Sequence, residues 1–252
     1  MVIKYLSDVG KTRDKNEDSF TIIKDDKHIL LAVADGMGGH NAGDRASQIA
    51  VDTAKKIFSK KKESLIKEEI DEIELLKIIY KECNDKIYTT SIEVPEYLGM
   101  GTTLTICIIN KENNKIYIGN VGDSRCYKIQ VLENKIEKIT EDHSLVQEMI
   151  KNEEISKEES YTHPKKNIIT RALGPDKKVD VDIFCATLKN REILLLCTDG
   201  LTNHLKDNEI KGIVLNRKEE SVNILVEEVN RRGGLDNTTI ILFIGDQEVN
   251  YE

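Results

Sequence analysis

The sequence predicts an α+β fold in which strands and helices are grouped rather than strictly alternating. Nine short β-type segments dominate, each alternating in polarity or continuously apolar between turn residues. Helical periodicity occurs in four stretches, and the two longest follow each other directly. This grouping predicts at least one large sheet, with a second expected, and helices that cover the exposed sheet faces.

The elements follow in order along the chain. Strands are predicted at residues 2–10, 19–25, 28–35, 102–110, 115–123, 125–132, 181–188, 192–200 and 237–245. Helices are predicted at 43–60, about 66–90, 144–152 and within 207–231. The segment 143–168 is polar and charged with weak apolar content, and we interpret it as a mobile flap. Because no repeat or Pro/Gly/Ser-rich linker interrupts the pattern, we expect a single domain over residues 1–252.

Composition and charge exclude several classes of protein. The formal net charge is −8 and the lysines form no stripe, which argues against binding to nucleic acid or to an anionic membrane. The five cysteines form no CxxC pair and mostly lie in apolar segments, as expected of buried thiols in a reducing compartment. With no signal-peptide pattern or membrane-length apolar run, the expected location is the cytoplasm.

Acidic residues recur at the ends of the predicted strands. Four of them directly follow an apolar or β-type run and two precede one: Asp35, Asp123, Asp199 and Asp236, then Glu17 and Asp18. If strand ends bring several together, repulsion and desolvation force protonation unless a cation lies among them. Carboxylates, carbonyls and water favour a hard cation, so we expect Mg²⁺ or Mn²⁺ and not zinc.

Two such ions bridged by one aspartate would lie roughly 3.5–4 Å apart and depress the pKa of a shared water, which suits attack on phosphorus. In the stretch ADGMGGHNAG, residues 34–43, Gly36 follows the candidate bridging residue Asp35 and lets its own carbonyl turn toward the second ion. Arg13 is the best candidate to grip phosphate through two parallel hydrogen bonds.

Each motif also has a simpler interpretation. Asp35-Gly36 alone is typical of a turn, Asp199-Gly200 of a helix cap, and Asp236-Asn237 of a residue pair before a strand. The chemical interpretation therefore depends on the whole set.

That set occurs in a recognisable order. The stretches are RDKNEDSF (13–20), VADGMGGHNAGDRAS (33–47), GTTLT (101–105), GNVGDSRCY (119–127), ITEDHSLV (139–146), ITRALG (169–174), LLLCTDGLTNHL (194–205) and DNTTIILF (236–243). Together they resemble the metal-dependent type 2C (PPM) protein phosphatases of the bacterial branch, over about residues 3–244. The resemblance implies a four-layer αββα sandwich of two antiparallel sheets flanked by antiparallel helix pairs. It also implies hydrolysis of phosphoserine and phosphothreonine in proteins by a metal-bridging water, with no phosphoenzyme.

The resemblance also implies a role for each site residue. Asp35 matches the ligand shared by two ions, and Gly36 supplies a carbonyl. Asp199 and Asp236 match ligands of the first ion. The remaining positions are matched as follows: Glu17 and Asp18 hold metal-bound waters, Arg13 clamps phosphate, and Asp123 contributes to a third, weaker metal site.

One position departs from the family pattern. Relatives with a DGHxG motif place a histidine two residues after the shared aspartate, where this chain has Met37. His40 and a metal-bound water are the alternatives for protonating the leaving group, and His163 in the flap is another candidate proton carrier, so the general acid is left unassigned. The flap at 143–168 is expected to influence substrate choice and third-metal binding.

Two classes of function remain in competition. The first is an active phosphatase, a monomer that opposes a bacterial Ser/Thr protein kinase. The second is a catalytically silent relative that binds phosphoproteins or acts as a sensor. Retention of every expected metal acid and of Arg13 favours the first. A metal-dependent nuclease is disfavoured by the acidic balance.

Overall fold

Two antiparallel sheets lie face to face in the computed structural model, which describes residues 1–38 and 42–245. The eleven strands of these ranges are β1 (Val2–Asp8), β2 (Asp18–Lys24), β3 (His28–Met37), β4 (Gly101–Thr102), β5 (Leu104–Asn110), β6 (Lys115–Val121), β7 (Arg125–Gln130), β8 (Lys135–Lys138), β9 (Asp182–Thr187), β10 (Glu192–Cys197) and β11 (Thr238–Ile244). Sheet I has the order β1-β11-β10-β7-β8. Sheet II has the order β2-β3-β5-β6-β9, with β4 paired to the end of β3.

Helices cover the outer face of each sheet. The α-helices of the described residues are α1 (Ala42–Ile66), α2 (Glu72–Glu93), α3 (Leu145–Lys151), α4 (Lys157–Ser160), α5 (Asp199–Thr202), α6 (Asp207–Arg217) and α7 (Ser221–Arg231). The pair α1 and α2 packs on sheet II, and the pair α6 and α7 packs on sheet I. The predicted α+β fold and its four αββα layers are confirmed.

Strand β3 shows why some strands are continuously apolar. Its residues Leu30, Ala32 and Ala34 belong to the core under α1 and α2, whereas the alternate residues Ile29, Leu31 and Val33 belong to the core between the sheets. Successive side chains of a strand point to opposite faces, so a strand covered on both faces carries apolar residues at every position. This burial fixes the register of β3 and hence the position of its carboxyl-terminal end.

Some elements differ from their predicted form. The helical stretch 207–231 is two helices, because Lys218 between α6 and α7 has a φ of +46° and breaks the helical path. Strand β8 was not predicted; it is short and strongly charged. Four of the five cysteines are buried as expected, but Cys185 is exposed on β9.

The segment 143–168 contains α3 and α4 joined by turns. Its two ends are held together, since the backbone N–H of Thr170 donates to the carbonyl of His143 and Ser144 pairs with Ile169. In the described part of the chain, no helix is long and apolar enough to cross a membrane.

Candidate metal centre

The predicted acids come from both sheets and meet at one end of the sandwich. Asp18, the first residue of β2, lies opposite Asp35 of β3 in sheet II. From sheet I, Asp199 begins α5 two residues after the end of β10, and Asp236 lies two residues before the start of β11. The hydroxyl of Thr198 donates to Asp18 Oδ2 at 2.8 Å and thereby joins the two sheets at this point.

The backbone of Asp35 is fixed on both sides of its Cα. Its N–H donates to Thr103 Oγ1 at 2.9 Å, and its carbonyl accepts from the Thr102 hydroxyl and the Thr103 N–H, each at 2.9 Å. These contacts therefore fix the position of the Cα from which its carboxyl group projects.

The glycines after Asp35 allow close backbone approach. A Cβ on Gly36 would lie 2.0 Å from the carbonyl oxygen of Gly43, and a Cβ on Gly43 would lie 2.6 Å from Glu17 Oε1. The first turn of α1 can thus pack directly against the end of β3, with the Glu17 carboxylate beside it. This packing explains both glycines.

The carboxylate of Asp199 has two unlike oxygens. Asn203, one turn later in the chain, donates its side-chain N–H to Asp199 Oδ2 at 2.8 Å. Asp199 Oδ1 is buried without a hydrogen-bond partner. The helix therefore holds one oxygen and leaves the other available.

Arg13 reaches the same end of the sandwich from the loop between β1 and β2. Its Nη2 lies 3.0 Å from Asp236 Oδ2. The guanidinium is half exposed, so its outer face is accessible to a ligand. Glu17 is fixed on the same loop, because its backbone N–H donates to Asn237 Oδ1 at 2.8 Å.

Asp123 lies in the tight connection between β6 and β7. The preceding Gly122 has a φ of +106° and its N–H donates to His143 Nδ1 at 3.0 Å. The other ring nitrogen of His143 lies 3.1 Å from Asp182 Oδ2. Asp123 Oδ1 is buried and has no hydrogen-bond partner.

The electrostatics of the acids show that their charges oppose one another. Burial is the first cause of a raised pKa at Asp18, Asp35, Asp123 and Asp199, and the neighbouring carboxylates raise these values further. The pKa of Asp18 rises to about 7. Burial also raises the pKa of Glu17, although Arg13 lowers it. Without a cation, several of these acids would resist ionisation at neutral pH.

The donor set fits hard divalent cations. Carboxylate oxygens of Asp18, Asp123 and Asp199 are buried without partners, and unsatisfied buried oxygens of this kind require a proton or a cation. Within residues 1–38 and 42–245, no three Asp, Glu, His or Cys side chains form a complete ligand cluster. Mg²⁺ commonly takes only one or two carboxylates from a protein and keeps several waters.

A cavity of about 480 Å³ leads away from these acids. Its lining includes Asp123 and Asp199 and, from the flap, Lys157, Tyr161 and Lys166. The flap is attached by Lys157, whose Nζ lies 2.9 Å from Asp207 Oδ2.

The structure thus brings together all eight predicted site residues at one end of the molecule. It adds residues that the sequence did not single out: Thr103, Thr198, Asn203 and Asn237. Of these, only Asn203 had a readable signal, since it follows Asp199 by four residues in a helical turn. Met37 ends β3, His163 is half-buried in the flap, and His40 lies outside the described residues.

Comparison with known proteins agrees with this geometry. A family model described as Protein phosphatase 2C matches residues 11–232. The serine/threonine phosphatase Stp of Listeria welshimeri is 40% identical over 245 residues, covering 96% of this chain and 95% of that protein.

Solved structures show the same similarity. The serine/threonine phosphatase Stp1 from Staphylococcus aureus is 37% identical with a TM-score of 0.88, covering 97% of this chain and 94% of that one. The catalytic domain of the phosphatase PstP, in complex with two manganese ions, is 29% identical with a TM-score of 0.80 and covers 96% of each chain. The chain belongs to the protein phosphatase 2C family of metal-dependent serine/threonine phosphatases.

Proposed function

We propose that this chain hydrolyses phosphoserine and phosphothreonine in proteins, using divalent cations held among the acids at the end of the sandwich. The observation that carries the proposal is the convergence of buried carboxylates from both sheets, three of which have unpartnered oxygens, beside a half-exposed arginine. A cluster of like charges with an adjacent guanidinium suits cations and a phosphoryl group together.

Each residue has a part in this proposal. Asp35 would hold both ions and the Gly36 carbonyl would hold the second. Asp199 and Asp236 would hold the first ion, while Glu17 and Asp18 would orient waters around the pair. When bound, the two cations supply an activated water as nucleophile and offset the carboxylate charge.

Arg13 would bind the non-bridging phosphate oxygens. Its Nη2 already pairs with Asp236, which holds the guanidinium at the site before a substrate arrives. A planar fork of N–H donors binds phosphate with both charge and geometry. Arg13 therefore orients the phosphoryl group and contributes little to holding the metal.

The metal is expected to be Mn²⁺ or Mg²⁺, with a third, weaker ion at Asp123. Support for two core ions comes from the PstP structure with two manganese ions. Support for the third comes from the buried, unpartnered Asp123 Oδ1.

The cavity beside the flap would accept the chain that flanks the phosphorylated residue. Asp199 and two flap lysines both line it, so the flap at 143–168 is expected to influence which phosphoproteins are hydrolysed. We regard residues 1–252 as a single catalytic domain acting as a monomer in the cytoplasm and opposing a Ser/Thr protein kinase. Nucleic acid and membranes are not expected partners, given the charge of −8.

The test is phosphate release from a phosphothreonine peptide after chelator treatment and during titration with Mn²⁺ or Mg²⁺. Asp199→Asn should abolish turnover at limiting metal, because a first-ion ligand loses its charge. Asp52→Asn, the same change at an exposed position of α1, serves as the control and should retain activity.

Metal-dependent release that is lost in Asp199→Asn supports the phosphatase. Absence of release at any metal concentration, from folded protein, would instead support the alternative of a silent phosphoprotein-binding or sensor relative. Near wild-type turnover by Asp199→Asn at limiting metal would overturn the assigned role of Asp199.

A further inference from the structure

The loop that carries Arg13 has little regular structure of its own. It runs from the end of β1 to the start of β2, over residues 9–17, and has turns and bends but no helix or strand. An irregular loop must be ordered by contacts with other segments, because it lacks a hydrogen-bonded ladder. The position of Arg13 therefore depends on what holds this loop.

The side chain of Asn237 makes three hydrogen bonds to this loop. Its Nδ2 donates to the carbonyls of Val9 and Lys15, each at 2.9 Å, and its Oδ1 accepts from the Glu17 N–H at 2.8 Å. These contacts lie on both sides of Arg13 in the chain, so one amide closes the loop with Arg13 inside it. The residue is buried, with 4% of its surface exposed.

The partners determine which way the amide points. Two carbonyls require the NH₂ group and one N–H requires the carbonyl oxygen, so the reversed orientation would place like poles together at all three contacts. No other neutral side chain of this size offers two donors and an acceptor at once.

The backbone of Asn237 is also held in place. It directly follows Asp236 and precedes β11. A Cβ on Gly200 of α5 would lie 1.9 Å from the Asn237 carbonyl oxygen, and a Cβ on Gly10 would lie 2.6 Å from the Asp236 carbonyl oxygen. The Arg13 loop, the Asp236 segment and α5 therefore meet at this residue with no spare space.

We propose that Asn237 is a positioning residue that holds Arg13 in the geometry for phosphate binding, by closing the 9–17 loop against the Asp236 segment. The inference rests on the proposed function in that Arg13 is taken as the phosphate ligand. Asn237 itself is buried and acts through the loop, without contact to substrate.

The test combines kinetics with a double-mutant cycle. Asn237→Ser removes the three-way amide, and Asn84→Ser is the matched control. Asn84 is also a buried asparagine, with hydrogen bonds to the Asp176 carbonyl and from the Gly174 N–H, but these contacts hold a different loop. For each variant, kcat and KM are measured with the phosphothreonine peptide at saturating Mn²⁺. Binding of inorganic phosphate is measured by calorimetry and thermal unfolding by spectroscopy.

Asn237→Ser should raise KM and the phosphate dissociation constant about tenfold, since buried hydrogen bonds to the loop are lost. In the Arg13→Ala background, the same substitution should change KM less than about twofold, because residues that act as one unit are not additive. Asn84→Ser should lower thermal stability without changing KM or phosphate binding.

The proposal would be overturned if Asn237→Ser changed KM equally in the wild-type and Arg13→Ala backgrounds. It would also be overturned if Asn237→Ser lowered thermal stability and left KM unchanged. If Asn237→Ser does not fold, Asn237→Asp replaces it, because it is nearly isosteric and keeps the bond from Glu17. Failure of the proposed function would be seen separately, as absence of turnover in the wild-type protein.

Discussion

At Asp199, a single neighbouring amide determines which carboxylate oxygen is available. Asn203 holds Oδ2 at 2.8 Å, and Oδ1 remains buried without a partner. Groups that hydrogen-bond to a metal ligand fix its orientation and favour its ionised form. Asn203 would therefore support the proposed first-ion site at Asp199 without touching the ion.

We expect Asn203→Ala to weaken Mn²⁺ binding by about tenfold to a hundredfold, the usual effect of removing such a supporting group. Turnover should recover at saturating Mn²⁺, because Asp199 itself is retained. Calorimetric titration of the chelator-treated protein measures the affinity, with the exposed Asn208→Ala of α6 as control. Unchanged Mn²⁺ affinity would show that Asp199 does not need this hydrogen bond.

The Arg13 pair with Asp236 is expected to matter for substrate and little for stability. The two side chains are 47% and 29% exposed, and exposed pairs of this kind contribute only about 0–1 kcal/mol. Arg13→Ala should therefore change the free energy of unfolding by less than about 1 kcal/mol.

The same substitution should raise KM, because the proposed phosphate ligand is lost. Arg13→Lys should restore less than wild-type affinity, since an ammonium group cannot bind phosphate through two parallel bonds. The comparison of KM, kcat and urea unfolding among the three proteins provides the measurement. If KM and kcat are unchanged in Arg13→Ala, Arg13 does not bind the phosphate.

Among the elements, the packing of β3 against α1 depends on glycine at Gly36. A Cβ there would meet the Gly43 carbonyl oxygen at 2.0 Å and the Glu17 carbonyl oxygen at 2.7 Å, both of them backbone atoms that cannot rotate away. Gly36→Ala is expected to destabilise the protein by about 1–3 kcal/mol, the usual cost of overpacking.

Gly212→Ala is the matched control for that prediction. Gly212 lies inside α6, and apart from its chain neighbours and the backbone of its own helix no heavy atom of the described residues lies within 4 Å of the position that its Cβ would take. The substitution should therefore stabilise the protein by up to about 1 kcal/mol through helix propensity. Urea unfolding of both variants measures the two free energies. Equal stability of Gly36→Ala and wild type would mean that α1 can move away from β3 without cost.

The sequence predicted elements well where apolar periodicity decides them, and less well where single contacts do. The apolar run from His28 predicted β3, because both faces of this strand are buried. The periodic stretches predicted α1 and α2. The break between α6 and α7 occurs at Lys218, where no glycine or proline predicts it. Strand β8 carries charges at three of four positions and lacks a strand-like pattern.

The candidate site shows the same limit. Its acids were predictable because carboxylates after apolar strands stand out, and the ordered motifs named their family. The hydrogen bonds that position them join residues far apart in the chain, such as Thr198 with Asp18 and Asn237 with Val9. Separations of 180 and 228 residues leave no local pattern in the sequence.

For the whole molecule, the sandwich assembles a cluster of acids that repel one another when no cation is bound. The pKa of Asp18 is raised by burial from its ordinary value of 3.8 to about 7. Between these two values, the folded protein binds a proton that the unfolded chain releases, so stability decreases as pH rises through this window. Packing of both sheets and of the four flanking helices must offset this cost.

We therefore expect Asp18→Asn to stabilise the chelator-treated protein at pH 7.5, where the wild-type carboxylate is ionised and buried. The gain should shrink as the pH falls toward 5, because Asp18 is then protonated in the folded wild type. At saturating Mn²⁺ the wild type should instead be more stable than Asp18→Asn. It keeps a carboxylate for the metal shell, and binding to the folded state adds stability. Wild type and Asp18→Asn both contain His143, whose pKa is lowered chiefly by burial. Its effect on stability, which runs opposite to that of Asp18 with pH, therefore cancels in the difference between the two proteins.

Urea unfolding across pH 5–7.5, with and without Mn²⁺, gives the four curves. A difference between the two proteins that is constant with pH and unaffected by Mn²⁺ would show that Asp18 neither titrates in this range nor belongs to the metal centre.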